Sequence, residues 1–298
     1  MADHTGISIM PARLASLSHL QAVEPKPHRP VIAALAGSPS SKPFAEPCAV
    51  TLTRPTITSA VATHRGGVRP INEDAVLDAA SVGLWAVADG VGGADAGDRA
   101  SMAVVETLAL VPRPERAADL LASVRAVLED VNRRLIAESR RLGSSRGIAS
   151  TVVCLMVVEN RFFCMWAGDS RLYRWRDRQI EQVSRDHSEV QRLVDSGAIS
   201  AADAPLHPLA HVITSAVGIE PVLRLDCVEG DVRPGDRFLL CSDGLNRVVT
   251  DAEIGLVIGL VNPKEAVNHL IQMALDRGAP DNVSVAAISI AGADPAHG

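Results

Sequence analysis

The sequence predicts an α+β fold, a central antiparallel β-sandwich flanked by helices. Two observations carry this. Strands and helices do not alternate as in a parallel β-α-β chain: two helices interrupt the strands early, and two more precede the last strand. Two strand pairs are joined by short polar turns, Glu159-Asn160 and Asp177-Arg178, which mark hairpins.

The elements follow in order. Residues 57–63 and 82–88 read as strands. Residues 96–111 and 114–142 read as helices: Ala103, Val104, Thr107, Leu108 and Val111 share one face, and Leu121, Val124, Leu128, Val131 and Leu135 another. Strands at 151–158 and 161–167 form the first hairpin, and strands at 172–176 and 179–183 the second. A short helix at 189–195 stops at Gly197, a C-terminal cap signal. Residues 198–217 are irregular, with Pro205, Pro208 and His211. Strands at 223–229 and 237–241, helices at 252–259 and 264–276, and a strand at 283–290 complete the chain. No internal repeat is found.

At 298 residues and 47% hydrophobic, the chain can bury a sizeable core. Eight of its 18 prolines fall before Thr56, among serine clusters and without apolar periodicity, so residues 1–56 read as a disordered or extended arm. An inert extension, a tether and an over-called start codon all fit that segment. Residues 57–291 read as the folded domain and 292–298 as a tail. A net charge of −6 argues against broad binding to nucleic acid or a membrane surface. No apolar stretch approaches the ~20 residues of a membrane span. No two of the five cysteines form a Cys-x-x-Cys pair, and Cys154, Cys164 and Cys241 lie in apolar runs, as buried free thiols do in a reducing compartment.

Four aspartates stand at the ends of four apolar strands. Asp89 follows Leu84-Trp85-Ala86-Val87-Ala88, Asp169 follows the Phe162–Gly168 run, Asp243 follows Phe238–Ser242, and Asp281 precedes the final strand. Ionised carboxylates gathered at one core edge repel each other unless a hard divalent cation joins them. Upstream, Arg69-Pro70-Ile71-Asn72-Glu73-Asp74 adds two hard oxygen ligands and a guanidinium suited to bidentate phosphate recognition. Taken singly, each piece is also what a polar turn beside a strand looks like.

In this order, with Asp89-Gly90-Val91-Gly92-Gly93, Ala149-Ser150-Thr151, Gly168-Asp169-Ser170-Arg171, Ser242-Asp243-Gly244 and Asp281-Asn282, the chain resembles the metal-dependent protein phosphatases, the PPM or type 2C serine/threonine family. The resemblance covers about 58–290. Gly92-Gly93, Asp186-His187-Ser188 and Val212-Ile213-Thr214 leading to Ala216-Val217-Gly218 look bacterial, with a weaker likeness to phosphatases linked to type VI secretion.

The resemblance implies a four-layer α-β-β-α sandwich and two Mn²⁺ or Mg²⁺ ions, with a third, weaker ion. Asp89 would bridge the two, and Asp243 and Asp281 would complete one of them. The Gly90 carbonyl, with Glu73 and Asp74 directly or through water, would hold the other, and Asp169 with Asp243 the third. Arg69 would grip the substrate phosphate. Water activated by the cations would hydrolyse phosphoserine or phosphothreonine without a phospho-enzyme. The expected partners are phosphorylated proteins, with a cognate Ser/Thr kinase and its substrate, in a cytoplasmic monomer.

Two departures stand out. Val91 follows the Asp-Gly where animal members carry a histidine that protonates the leaving group, which leaves a water on the cations or His187 for that task. His211 and Ser215 replace residues common in bacterial relatives, within a flap at about 185–217, so substrate choice is expected to differ.

Two other readings compete. Cys241 to Arg247 fits the Cys-x₅-Arg loop of cysteine phosphatases. A catalytically silent domain that only binds phosphoproteins is the second.

Overall fold

The structure, a computed structural model, describes residues 56–91, 96–144 and 147–291. The expected arm, apart from Thr56, and the expected tail lie outside these residues. The strands are β1 (Thr56–His64), β2 (Asp74–Ala79), β3 (Leu84–Val91), β4 (Ala149–Ser150), β5 (Val152–Val158), β6 (Arg161–Ala167), β7 (Arg171–Arg176), β8 (Gln179–Gln182), β9 (Asp226–Asp231), β10 (Arg237–Cys241) and β11 (Val283–Ala291). The helices are α1 (Gly97–Leu108), α2 (Ala117–Leu142), α3 (Glu189–Asp195), α4 (Asp243–Asn246), α5 (Asp251–Leu260) and α6 (Pro263–Asp276).

Among the described residues the strands build two sheets, every pairing antiparallel. One runs β1-β11-β10-β7-β8; the other runs β2-β3-β5-β6-β9, with β4 beside β3. The central strands are apolar at successive residues because both faces are covered. On β3, Leu84, Ala86 and Ala88 point to α1 and α2, while Trp85 and Val87 point to the other sheet. On β5, Cys154 and Met156 take the helix side, and Val153, Leu155 and Val157 the inter-sheet side. On β10, Phe238 and Leu240 enter the inter-sheet layer, whereas Leu239 and Cys241 meet α5 and α6. Side-chain alternation along each strand thus yields four layers, helix, sheet, sheet, helix.

Local signals account for the ends of several elements. Thr250 and Glu253 form a capping box at α5, and Asn262 caps α6 ahead of Pro263. Gly197, at φ +72°, closes α3: its N–H bonds Val194 O at 3.0 Å, and the Ala198 N–H bonds Leu193 O at 2.9 Å. Asp177 and Arg178 turn the β7–β8 hairpin with φ of +52° and +64°, the left-handed pair that a two-residue turn demands.

Some boundaries differ from expectation. β2 was not anticipated. β3 continues past Ala88 to Val91 because β2 and β4 supply partners, Asp74 for Asp89 and Ser150 for Gly90. The strand expected at 223–229 starts at Asp226, opposite Trp166; Leu223 and Leu225 pack against the helix-side core instead. The second helix starts at Ala117, since Arg116 is extended at φ −136°. Among the described residues, no helix is long and apolar enough to cross a membrane.

Candidate active site

The site lies along one edge where strand ends from both sheets meet. From the six-stranded sheet come Asp74 and Asp89, direct partners across β2 and β3. Like charges set opposite one another on adjacent strands destabilise a sheet. Asp243, the first residue of α4, arrives from the other sheet after β10, and Asp281 precedes β11.

Backbone contacts fix these positions closely. The Asn282 side chain donates to Arg65 O at 2.8 Å and Ile71 O at 2.9 Å, and its Oδ1 accepts from the Glu73 N–H at 2.8 Å. One amide thereby clamps the loop that carries Arg69. Glu73 O accepts from the Ser101 hydroxyl at 2.6 Å and from the Gly90 N–H at 3.0 Å. The Asp89 backbone is held by Thr151: its N–H donates to Thr151 Oγ1 at 3.1 Å, and its carbonyl accepts from the Thr151 N–H at 2.8 Å. Glycine is required at Gly244, where a Cβ would stand 1.9 Å from Asn282 O. Gly90 is equally constrained, a Cβ there meeting Gly97 O at 2.1 Å.

The carboxylates are crowded and poorly hydrated. Protein packed around Asp89, and then the charges of Asp74 and Asp243, push its carboxyl well above the ordinary range, although the side chain keeps partial access to the cleft. Burial raises Asp74 to about 7, against a lowering hydrogen bond from Ser242. Burial, then Asp243, raises Asp169 to about 8. Burial likewise raises Asp243, with Arg247 opposing, and Glu73, with Arg69 opposing. Glu73 Oε1, Asp74 Oδ1 and Asp243 Oδ1 are buried without a hydrogen-bond partner. Buried carboxylate oxygens are costly to leave unmatched.

An all-oxygen donor set with these unmatched atoms fits a hard divalent cation. Among the described residues, no three acidic, histidine or cysteine side chains close on one another tightly enough to chelate an ion alone. Water would therefore have to complete the shell of an ion held there, as Mg²⁺ commonly requires.

Arg69 stands at the mouth, 47% exposed, its Nη2 donating to Asp281 Oδ2 at 2.8 Å. Arg247, from the end of α4, pairs with Asp243 and lies 3.5 Å from the same Asp281 oxygen. His211 is exposed on the irregular segment yet near enough to be influenced by both: partial burial, then Arg247, lower its imidazole pKa, while Asp281 pulls it up.

Two expected flap residues are buried. His187 is buried, stacked on Trp166 with centroids 5.9 Å apart. Its Nδ1 accepts from the Gly168 N–H at 3.3 Å and its Nε2 is 3.1 Å from Asp226 Oδ2, so neither ring nitrogen is left to protonate a leaving group. Ser215 is also buried, its hydroxyl donating to Arg224 O at 3.3 Å. Both tie down the segment by these buried contacts. The Cys-x₅-Arg reading fails on the same grounds: burial pushes the fully buried Cys241 thiol up, and Arg247 turns to Asp243.

Sequence reasoning missed Ser101 and Gly97 as parts of the site, and gave Ser242 and Asn282, which stand in the motifs, no task. It saw Arg247 only as the partner of Cys241.

Residues 67–282 match the family model described as Protein phosphatase 2C. The serine/threonine protein phosphatase PstP of Mycobacterium tuberculosis is 37% identical over 229 residues, 76% of this chain and 43% of that protein. The chain thus spans less than half the length of that relative. Among solved structures, PppA, a key regulatory component of T6SS in Pseudomonas aeruginosa, superposes with a TM-score of 0.74 at 43% identity, covering 78% of this chain and 97% of that one. The catalytic domain of PstP in complex with two manganese ions superposes with a TM-score of 0.72 at 34% identity, covering 79% and 99%. The motif order, the four layers, the carboxylate-lined edge and these likenesses agree, and the chain belongs to the protein phosphatase 2C family.

Proposed function

We propose that this chain is a metal-dependent protein serine/threonine phosphatase, with residues 57–291 as its catalytic domain. The observation that carries the reading is the pairing of Asp74 with Asp89 at the edge that Asp243 and Asp281 reach from the second sheet. Asp89 would serve two Mn²⁺ or Mg²⁺ ions. Asp243 and Asp281 would complete one, and the Gly90 carbonyl with Glu73 and Asp74 the other. Asp169 and Asp243 would hold a third. Two such cations, when bound, lower the pKa of a water between them and neutralise charge on a phosphate.

The protein supplies alignment and charge. Arg69 offers a planar fork to two phosphate oxygens. Thr151 and Asn282 hold Asp89 and Glu73 by their backbones, so the donors keep their spacing without reorganising. The substrates would be phosphoserine and phosphothreonine proteins, including targets of a cognate kinase, met by a cytoplasmic monomer. Likeness to PppA supports a link to type VI secretion.

The deciding assay is turnover of p-nitrophenyl phosphate and phosphothreonine peptides in Mn²⁺, Mg²⁺ and EDTA. Activity should require the metal, vanish in Asp89→Asn and Asp243→Asn, and stay within a few-fold in Cys241→Ser. Full activity after exhaustive chelation would refute the reading. Phosphopeptide binding without turnover would instead identify a regulatory module.

A further inference from the structure

Arg69 and Arg247 come from different parts of the chain and reach the same atom. Arg69 lies on the loop between β1 and β2; Arg247 follows α4. Arg69 Nη2 is 2.8 Å from Asp281 Oδ2, and Arg247 Nη1 is 3.5 Å from it. Both side chains keep contact with solvent, 47% and 28% exposed. An oxygen within reach of two guanidinium forks marks a point where a tetrahedral oxyanion can be held from two sides. Were Asp243 and Asp281 to serve a divalent cation, less of their charge would be left for the arginines, and both forks would be free to turn to an anion in the cleft.

We propose that Arg247 is a second phosphate-binding arginine, which with Arg69 grips the phosphate of a phosphorylated protein at the mouth of the site. This rests on the phosphatase reading given above. Its chemistry is charge-assisted hydrogen bonding from one more planar fork, which a lysine matches only in charge. The competing role for Arg247 is to balance Asp243 and Asp281 and nothing more. The two roles predict different behaviour toward a free anion.

The experiment uses the full chain saturated with Mn²⁺ and inorganic phosphate as the probe. Phosphate affinity is read by calorimetry and as product inhibition, with Mn²⁺ affinity and melting point measured alongside. Arg247→Gln should weaken phosphate binding roughly ten-fold and raise KM for a phosphothreonine peptide similarly, with Mn²⁺ affinity within about two-fold. Arg69→Ala combined with Arg247→Gln should weaken phosphate binding further than either alone. Should Arg247→Gln not fold, Arg247→Lys keeps a charge beside Asp243 and should still lose phosphate affinity several-fold. Unchanged phosphate affinity, with a shift only in Mn²⁺ affinity or melting point, would overturn the proposal. A wild-type chain that binds phosphate but turns over no phosphopeptide would defeat the phosphatase reading alone, since the phosphate titrations decide Arg247 separately.

Discussion

The Ser242 hydroxyl donates to Asp74 Oδ2 at 2.7 Å, joining a strand end of one sheet to a strand end of the other. The same oxygen of Ser242 accepts from the Ser284 N–H at 3.0 Å, so its orientation is set by β11. Ser242→Ala should therefore free the Asp74 carboxylate to rotate. Mn²⁺ affinity should fall roughly ten- to a hundred-fold, the usual loss for an outer-shell partner. The melting point should drop by a few degrees, since a buried acceptor loses its donor. Calorimetric titration with Mn²⁺ checks this; unchanged affinity would remove Asp74 from the ligand set.

The raised carboxyls predict how stability varies with pH. Asp74 and Asp169 sit at about 7 and about 8 in the folded chain. Unfolded, both release their protons near pH ~3.9. From about pH 4 to 8 the folded state holds protons that the unfolded state has lost, so stability falls as pH rises. In EDTA the melting point should decline from pH 5 to 8, and Mn²⁺ should restore most at the high end. Mn²⁺ uptake near pH 6 should release protons, visible in two buffers of different ionisation enthalpy. A melting point in EDTA that climbs steadily over this range would contradict the assignment.

Arg69 is half-exposed and its pairing with Asp281 is a surface contact, worth little to the fold. Its weight should appear in catalysis. Arg69→Ala should lower kcat/KM for phosphopeptides by roughly ten- to a thousand-fold and leave the melting point and Mn²⁺ affinity nearly unchanged. Arg69→Lys should recover only part. Steady-state kinetics beside a thermal melt decide it: an unaltered kcat/KM would exclude Arg69 from the site.

A chain begun at Thr56 keeps every pairing of β1 with β11, from Thr56 with Ala291 to His64 with Val283. It should melt within a few degrees of the full chain and retain turnover. A large loss of either would assign the first 55 residues a part in the domain.

The strand ends were readable because an aspartate beside five or six apolar residues is conspicuous. The arrangement behind them was not. β2 opens with Asp74 and carries the exposed Asp78, so its polar content masked a strand held in register by β3. His187 looked available because its Asp226 partner lies 39 residues away. Arg247 was read with Cys241, five residues from Asn246 and one more from Arg247, because the sequence does not say that a helical turn swings the arginine back to Asp243. Spacing reports which residues can be near; it does not report which partner each one takes.

The double-sided burial of β3, β5 and β10 has an evolutionary consequence. Inward substitutions on such strands disturb one of two packed layers whichever way they point, so their interiors have almost no room to vary. Polar novelty is confined to the rim, in connections such as the one from α3 to β9. Descendants of this chain could change what they recognise by rewriting that rim and still inherit the same folding instructions.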